Sequence, residues 1–257
     1  MFCSILISNF NKSKYIERCL NSILSQSYKN FEIIFSDNES TDNSLEIASK
    51  FYGLKILTIP RSSNSPALNQ IEVLNKAFVE SKGEFIFLLD SDDFYEKNKI
   101  ENIIEYKKKE NCEFICDVPR IYYDENNSKN FRVKSFFTTL RSWPIIFPTS
   151  SISFTRDFFL RFKNFLFENE YNKLEIDFRL NIFAYIEKNN QILSEKTLTN
   201  YNQTSDGIMS NYKKFDKNWW KKRLQAHMYL HKIQNNKNLK LNKNLDYYIT
   251  SLINKIY

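Results

Sequence analysis

Glycine and histidine are scarce in this chain of 257 residues, and their scarcity excludes several kinds of active site. The three glycines, Gly53, Gly83 and Gly207, form neither a G-x-G-x-x-G fingerprint nor a Walker A loop. A glycine-rich nest of backbone amides is therefore not expected to hold the phosphates of a nucleotide. If the protein binds a nucleoside diphosphate, a metal ion that bridges carboxylates to the phosphates is the natural substitute.

The two histidines, His227 and His231, lie four residues apart on a predicted helix, a spacing that can hold zinc. No third ligand of suitable type stands in an obvious position, so we expect a surface or partly packed pair. Ser-His-Asp catalysis also lacks support, because the sequence contains no nucleophile elbow.

The four cysteines show no spacing typical of a disulfide framework, which favours a reduced, cytoplasmic protein. No apolar run approaches the ~20 residues of a membrane span, and we find no pattern of a secretory signal. The net charge is +7, and residues 206–257 alone hold eleven Lys or Arg against three Asp. The basic character of the chain therefore belongs to its C-terminal segment.

Three carboxylates follow a short, continuously apolar run at residues 85–89. Such a run predicts a strand buried on both faces. Asp90, Asp92 and Asp93 at its exit would repel one another unless a cation lies among them, and hard carboxylate ligands suit Mg²⁺ or Mn²⁺ rather than zinc. The carboxyl end of a buried parallel strand is also where an open α/β sheet binds its ligand. The alternative is an acidic turn with helix caps.

Strands and helices alternate over residues 1–125, which predicts βαβ units and a mostly parallel sheet. The predicted strands cover residues 2–8, 31–35, 54–59, 84–89 and 114–123. One predicted helix begins at the N-cap Ser65, has Pro66 at its first position and stops at Gly83. Later segments are predicted as a polar loop at 124–134, helices at 171–188, 216–234 and 244–256, and extended chain at 191–201.

Five segments, in order, resemble family 2 glycosyltransferases of the GT-A fold. They are residues 4–12, residues 19–34, residues 36–42 (Ser-Asp-Asn-Glu-Ser-Thr-Asp), residues 74–77 with 82–86, and the D-x-D motif at 90–93. The resemblance is strong over residues 1–125 and thin afterwards. It implies a Rossmann-like α/β fold with a helical C-terminal appendage. The implied divisions are a nucleotide-sugar-binding half at 1–125, an acceptor-binding half at 126–205 and a basic helical segment at 206–257.

The family moves a sugar from a nucleotide diphosphate donor to an acceptor hydroxyl with inversion. By resemblance, a divalent cation (Mn²⁺ or Mg²⁺) would be held by Asp92, with Asp90 near the ribose or the metal. The resemblance also assigns seven residues to the nucleotide site: Ser8, Phe10, Asp37, Asn38, Asn75, Asp90 and Ser91. For Asn75, a role in helix packing is an equally open alternative. Asp93 is expected either to hold the loop or to cap the next helix.

An inverting transferase needs a base that accepts the proton of the acceptor hydroxyl. The family places this acid at the start of a helix in the second half of the domain. Asp177 is the best match here and Glu175 is the second choice. Ile176 separates the two acids, whereas the family has an adjacent Glu-Asp pair, so both stay candidates. Trp143, Ser150 and Ser151 fall on the acceptor side, where Trp143 would either stack on a sugar or pack in the core.

Lysines interleave with Trp219 and Trp220 in the basic segment. We expect the tryptophan pair to dock this helix on the catalytic domain, with peripheral contact to the inner face of the cell membrane as an alternative; we do not expect nucleic acid as a partner. The predicted protein is a cytoplasmic, metal-dependent glycosyltransferase of bacterial surface polysaccharide biosynthesis. Its predicted donor is a UDP-sugar, and its acceptor is a glycan or a lipid-linked glycan. A degenerate domain that binds sugar nucleotide without transfer and a sugar-phosphate nucleotidyltransferase are the alternatives.

Overall fold

The computed structural model describes residues 1–124, 127–131, 142–167, 169–193, 196–203, 207 and 212–256. A seven-stranded sheet lies at its centre, in the order β10-β6-β9-β4-β1-β2-β3. All neighbours in it are parallel except β9, which runs antiparallel to β4 and β6. The seven strands are β1 (Cys3–Asn9), β2 (Phe31–Asp37), β3 (Leu54–Thr58), β4 (Phe85–Asp90), β6 (Phe114–Asp117), β9 (Ile152–Thr155) and β10 (Asn190–Leu193). The predicted mostly parallel α/β architecture is confirmed.

A second sheet of four short strands lies beside the first, in the order β5-β11-β7-β8. Its strands are β5 (Phe94–Tyr95), β7 (Arg120–Asp124), β8 (Asn127–Asn130) and β11 (Thr199–Asn202). The single strand predicted at 114–123 is therefore wrong, because β6 and β7 belong to different sheets. Pro119, which has no backbone N–H for a ladder, stands between them. The extended segment predicted at 191–201 likewise divides into β10 and β11.

Helices cover both faces of the central sheet. They are α1 (Ser13–Leu24), α2 (Ser44–Ser49), α3 (Pro66–Glu80), α4 (Lys99–Glu110), α5 (Arg156–Phe162), α6 (Ile176–Ile186), α7 (Lys217–Asn236) and α8 (Leu245–Ile256). Strand β4 is buried on both sides, as predicted: Ile86 and Leu88 belong to one hydrophobic core, whereas Phe85, Phe87 and Leu89 belong to the other. Because β4 is packed on both faces, its position is fixed, and so is the position of the acidic cluster at its carboxyl end.

The predicted start of α3 agrees with the structure, whereas the predicted start of α6 does not. The Ser65 side chain accepts a hydrogen bond from the Leu68 backbone N–H at 3.2 Å, with Pro66 as the first helical residue, which confirms the predicted start of α3. By contrast, α6 begins at Ile176 rather than at residue 171. The apolar side chains Tyr171 and Leu174 are buried like those of the helix, but the chain at 169–171 is a short 3-10 turn. The spacing of apolar residues predicts a longer helix because this turn buries its side chains on the same side as α6.

Gly83 does not end α3, because the capping residue is Ser81. Gly83 instead allows the chain to approach the neighbouring strand β1 closely. A Cβ at this position would lie 2.4 Å from the backbone nitrogen and 2.5 Å from Oγ of Ser4. The Gly83 N–H donates to that hydroxyl at 2.8 Å. Two strands of the parallel sheet thus meet where only a missing side chain allows it.

Gly83→Ala is therefore expected to lower the free energy of unfolding by about 1–3 kcal/mol, because the added methyl group clashes with the backbone of Cys3 and Ser4 as well as with the Ser4 hydroxyl. Urea denaturation followed by circular dichroism measures the effect. Gly53→Ala is the matched control: nothing lies within 4 Å of its Cβ, and only the positive φ of 80° opposes the change. Because that φ alone costs an alanine about 1–2 kcal/mol, the decisive result is the one for Gly83→Ala itself. An unchanged free energy of unfolding in Gly83→Ala would contradict the close-approach role.

The C-terminal helices pack on the rest of the protein. Ala226, Tyr229, Leu230 and Ile233 of α7 belong to the larger hydrophobic core. The helix docks on the catalytic domain, as predicted, but the prediction that the tryptophan pair makes this contact is wrong, because these four residues make it. Trp219 and Trp220 are half-buried and contact each other, with ring centroids 4.7 Å apart.

Candidate active site

A cavity of about 710 Å³ opens where the carboxyl ends of β1, β2 and β4 meet the start of α6. Its lining is mostly polar on the β1–β4 side. The sequence-predicted residues among its walls are Ser8, Phe10, Asn38, Asp90, Ser91, Asp92, Glu175 and Asp177. Residues from the two halves of the chain, far apart in sequence, thus face the same space.

Asp90 is the last residue of β4, and its carboxylate is fixed by hydrogen bonds. Ser8 Oγ donates to Asp90 Oδ1 at 2.5 Å, and Gln70 Nε2 donates to the same oxygen at 2.9 Å. Burial, followed by the charge of Asp92, raises the pKa of Asp90 to about 6. The site therefore concentrates negative charge in a desolvated position, which favours a positive ligand.

Asp92 presents its side chain to the cavity, and its backbone is held from behind. Lys12 Nζ lies 3.1 Å from Asp92 Oδ2. The Asp92 carbonyl accepts hydrogen bonds from Asn202 Nδ2 at 2.7 Å and from Arg18 at 3.2 Å. Because the backbone is fixed by two side chains, the carboxylate direction is set by the fold.

Asp93 holds the loop rather than capping a helix, which resolves the two predicted roles. Its carboxylate accepts from Ser150 Oγ at 2.5 Å and from the Asn202 N–H at 2.7 Å. It is fully buried, and burial together with the charges of Asp92 and Asp90 raises its pKa. Asp93 therefore fastens the acidic loop to the segment around residue 150 and to β11.

Lys99 is a supporting residue that the sequence did not reveal. Its ammonium is fully buried and lies 2.7 Å from Asp117 Oδ1, and it donates to the Ser150 carbonyl at 2.6 Å and to Thr199 Oγ1 at 2.5 Å. Desolvation lowers its pKa, although Asp117 opposes the shift. A lysine at the start of a helix ordinarily faces solvent, so no signal in the sequence marked this one.

The loop between β1 and α1 is joined to the loop after β2 by a buried network. Asn9 Nδ2 donates to Asp37 Oδ1 at 2.6 Å, and Ser91 Oγ donates to Asn9 Oδ1 at 2.6 Å. Asp37 also accepts from the backbone and the hydroxyl of Ser40. Asp37 is fully buried and does not line the cavity, so the structure places it beneath the predicted nucleotide site rather than at its surface.

Phe10, which is exposed, and Asn38, which is buried, line the cavity on the same side, and both contact Arg61. The Arg61 guanidinium lies 3.9 Å from the centroid of the Phe10 ring, and it donates to Asn38 Oδ1 at 3.4 Å. Arg61 was missed because it lies in a polar loop with no motif around it. Asn75 is buried in α3 and is not among the cavity residues. The aromatic ring, amide and guanidinium form a shelf suited to a planar ring.

Asp177 and Glu175 lie at the opposite wall, at the N-terminus of α6. Burial, and then the charge of Glu175, raises the pKa of Asp177 to about 7, whereas Lys222 lowers it. Lys222 Nζ of α7 lies 2.6 Å from Glu175 Oε2. Glu175 is therefore neutralised by an ion pair, and Asp177 is the acid poised to exchange a proton near neutral pH.

The three residues predicted for the acceptor side lie close to this wall but outside it. Trp143 packs edge-on against Phe178 and against His227, with ring centroids 5.5 and 4.8 Å apart. Ser150 and Ser151 are fully buried, and Ser150 supports Asp90 and Asp93. None of the three lines the cavity, whereas the neighbouring Pro148 and Thr149 do.

The donor set of the acidic loop fits a hard divalent cation. Asp92 offers carboxylate oxygens to the cavity, and Asp90 lies beside it with its charge disfavoured by burial. In the part of the chain that the structure describes, no three or more His, Cys, Asp or Glu side chains are grouped to enclose a metal, so the fit rests on these two carboxylates. Mg²⁺ and Mn²⁺ sites commonly use one or two carboxylates together with substrate phosphates.

Comparison with solved structures identifies the fold. The chain superposes on Staphylococcus aureus TarS (residues 1–349, in complex with UDP-GlcNAc) with a TM-score of 0.67, covering 99% of this chain and 70% of that one at 18% identity. It also superposes on the mannosyltransferase PcManGT from Pyrobaculum calidifontis, in complex with GDP-Man and Mn²⁺, with a TM-score of 0.61 at 16% identity, covering 93% and 65% of the chains. These likenesses confirm the predicted GT-A fold.

Sequence comparison gives the family. The Escherichia coli glucosyltransferase WfaP, which acts on GlcNAc-diphosphoundecaprenol, is 36% identical over 111 residues, covering 43% of this chain and 43% of WfaP. Matches to several curated relatives span only 32% to 44% of their lengths. The model named "Glycosyl transferase family 2" matches residues 4–173, about two thirds of the sequence. The chain belongs to glycosyl transferase family 2.

Proposed function

We propose that this protein is an inverting glycosyltransferase that moves a sugar from a nucleotide diphosphate to a hydroxyl of a glycan or lipid-linked acceptor in bacterial surface polysaccharide biosynthesis. One observation carries the proposal: the D-x-D carboxylate Asp92 and the acid Asp177, whose pKa is raised to about 7, line the same cavity. Charge stabilisation of the leaving group and proton removal from the acceptor need groups on opposite sides of the reacting carbon.

The donor is proposed to lie along the β1–β4 side. The shelf of Phe10, Asn38 and Arg61 would hold the base, and Asp92 with Asp90 would hold a divalent cation. When bound, that cation supplies Lewis-acid stabilisation of the departing diphosphate. A UDP-sugar is the preferred donor because TarS was solved with UDP and with UDP-GlcNAc, although PcManGT was solved with GDP-Man.

The acceptor is proposed to enter from the α6 side. Its hydroxyl oxygen attacks the anomeric carbon while the bond from that carbon to the diphosphate oxygen breaks. The hydroxyl proton passes to the Asp177 carboxylate, and the nucleoside diphosphate leaves with the electron pair of the broken bond. Attack opposite to the leaving group inverts the anomeric centre.

Glu175→Gln separates the two candidate bases. Because the Glu175 charge raises the pKa of Asp177 and Lys222 lowers it, removal of that charge is expected to move the acid limb of the pH–rate profile to lower pH. At pH 8, any loss of rate should stay far below the factor of about 10²–10⁴ that removal of a general base typically costs. A profile of initial transfer rate between pH 5 and 9 measures both effects. Loss of all transfer in Glu175→Gln would instead assign the base to Glu175.

The activity itself is tested by incubating the purified protein with a panel of UDP- and GDP-sugars, with and without Mn²⁺. Metal-dependent release of the nucleoside diphosphate supports the proposal. Thermal stabilisation by a sugar nucleotide without any turnover, even with added acceptors, would support the degenerate binding domain instead. The nucleotidyltransferase alternative is not favoured, since the named relatives are glycosyltransferases.

Peripheral contact with a membrane is also part of this proposal, but not through the tryptophans that the sequence indicated. Trp219 contacts Phe215, Trp220 and Arg223 within its own segment. No helix in the described ranges is both long and apolar enough to cross a bilayer.

A further inference from the structure

Helix α8 exposes its apolar face, whereas an ordinary surface helix buries it. Its large apolar side chains lie on the outside, at a spacing of three and four residues that forms a single stripe. The stripe consists of Leu245 (68% exposed), Tyr248 (59%), Ile249 (44%), Leu252 (61%) and Ile256 (76%). The inward face is instead largely polar.

Polar contacts fix this orientation. Arg223 of α7 donates to Asp246 Oδ1 at 2.6 Å through a terminal nitrogen and at 2.9 Å through Nε. Asn254 Nδ2 donates to the Trp220 carbonyl at 3.0 Å, and the Tyr247 ring packs edge-on against His231. Because both ends of α8 are held by α7, the apolar stripe cannot turn inward without breaking these bonds.

The exposed charged residues next to α8 along the chain are all basic. Lys240 and Lys243 are exposed just before α8, and Lys255 is exposed in its last turn. The contact of Asn254 with Trp220 also places the start of α7, with its exposed lysine at 221, beside the C-terminal end of α8. Within the described residues 212–256 the acids are Asp216 and Asp246, and both are used internally, by the Trp219 N–H and by Arg223.

This combination distinguishes between possible partners. A second copy of the chain would bring the same lysines face to face, because a two-fold interface repeats one patch on both sides. A nucleic acid would use the lysines but leave the apolar stripe in water. An anionic lipid surface uses both, since apolar side chains enter the acyl boundary while lysines meet the headgroups.

We infer that α8 is a membrane-surface helix whose apolar stripe inserts into an anionic lipid bilayer, with the lysines at its two ends against the headgroups. The inference rests on and refines the peripheral membrane contact proposed above, but it does not depend on sugar transfer, because lipid binding needs no sugar nucleotide. In this orientation, α8 lies in the plane of the membrane–water interface.

The test is co-sedimentation of the purified protein with vesicles of phosphatidylcholine alone or mixed equally with phosphatidylglycerol. We expect binding to the mixed vesicles that weakens as salt is raised. The double variant Ile249→Asp with Leu252→Asp should bind at least about tenfold more weakly. The matched control is Tyr52→Asp, since that side chain is 94% exposed in a loop before β3. Lys240→Glu with Lys243→Glu should also weaken binding.

Several outcomes would overturn the inference. One is absence of vesicle binding, and another is binding that survives Ile249→Asp with Leu252→Asp. Equal binding to neutral and anionic vesicles would remove the role of the lysines. Light scattering gives an independent check: a dimer that this double variant converts to a monomer would assign the stripe to a second copy of the chain. Circular dichroism should show unchanged helix content in every variant, because the altered side chains are exposed.

Discussion

Asp177→Asn is expected to lower the turnover of sugar transfer by about 10²–10⁴-fold, the typical contribution of a general base. The amide keeps the shape of the side chain but cannot accept the acceptor proton. Affinity for the sugar nucleotide should change little, because the proposed donor contacts lie on the opposite wall. In the unsubstituted protein, the rate should fall as pH drops below about 7, where Asp177 becomes protonated.

The same substitution is expected to stabilise the fold at alkaline pH. Burial raises the pKa of Asp177 from its ordinary value of 3.8 to about 7 in the folded protein. A carboxyl with a raised folded pKa contributes stability below pH 3.8 and loses it progressively as pH rises to about 7. Above that pH the buried charge is a net cost, which asparagine removes.

Thermal unfolding of the two proteins at pH 5 and pH 8 measures this difference. The gain in Tm from Asp177→Asn should be larger at pH 8 than at pH 5. Glu175→Gln provides the matched comparison for activity, since it removes the neighbouring carboxylate but leaves the proposed base. An Asp177→Asn protein with full transfer activity would refute the assignment.

Asp92→Asn is expected to abolish metal-dependent transfer, with a loss of at least about 10²-fold in rate. The neutral amide is a poor ligand for a hard cation, so the departing diphosphate would lose its electrostatic stabilisation. Removal of metal with a chelator should have a similar effect on the unsubstituted protein, and Mn²⁺ should restore its activity. Restoration should fail or need far more metal in the variant.

Steady-state rates at increasing Mn²⁺ concentration measure this dependence, and calorimetry reports binding of Mn²⁺ in the presence of UDP. Asp157→Asn is the control, because this exposed aspartate lies on α5 away from the cavity residues. It should behave like the unsubstituted protein. A metal response that is identical in Asp92→Asn and in the control would place the cation elsewhere or make it unnecessary.

The sequence predicted the parts of the site that follow from strand burial. The apolar run before Asp90 needs burial on both faces, so it fixes a central strand and places the D-x-D loop at its carboxyl end. The start of α3 was also predictable, because Ser65 and Pro66 act within one turn of the helix. Such features depend on residues that are close together in the chain.

The supporting contacts were not predictable because they join distant segments. Lys99, Asp117 and Thr199 meet only after three elements have packed, and nothing local distinguishes this lysine from a solvated one. Asp37 is predicted to contact the nucleotide; in the structure it is fully buried, and Asn9 and Ser40 use its oxygens. The roles of the individual site residues stay predictions until the variants are measured.

Helix α7 links two regions of the protein through consecutive residues. Lys222 neutralises Glu175 in the cavity, and the next residue, Arg223, anchors Asp246 of α8. A fragment that ended before residue 206 would leave the Glu175 carboxylate desolvated without its counter-ion, and would uncover the core that Tyr229 and Leu230 now close. Helices α7 and α8 thus supply the counter-ion on which the proposed proton transfer depends, and a displacement of α8 would be transmitted to Glu175 through the adjacent residues Arg223 and Lys222.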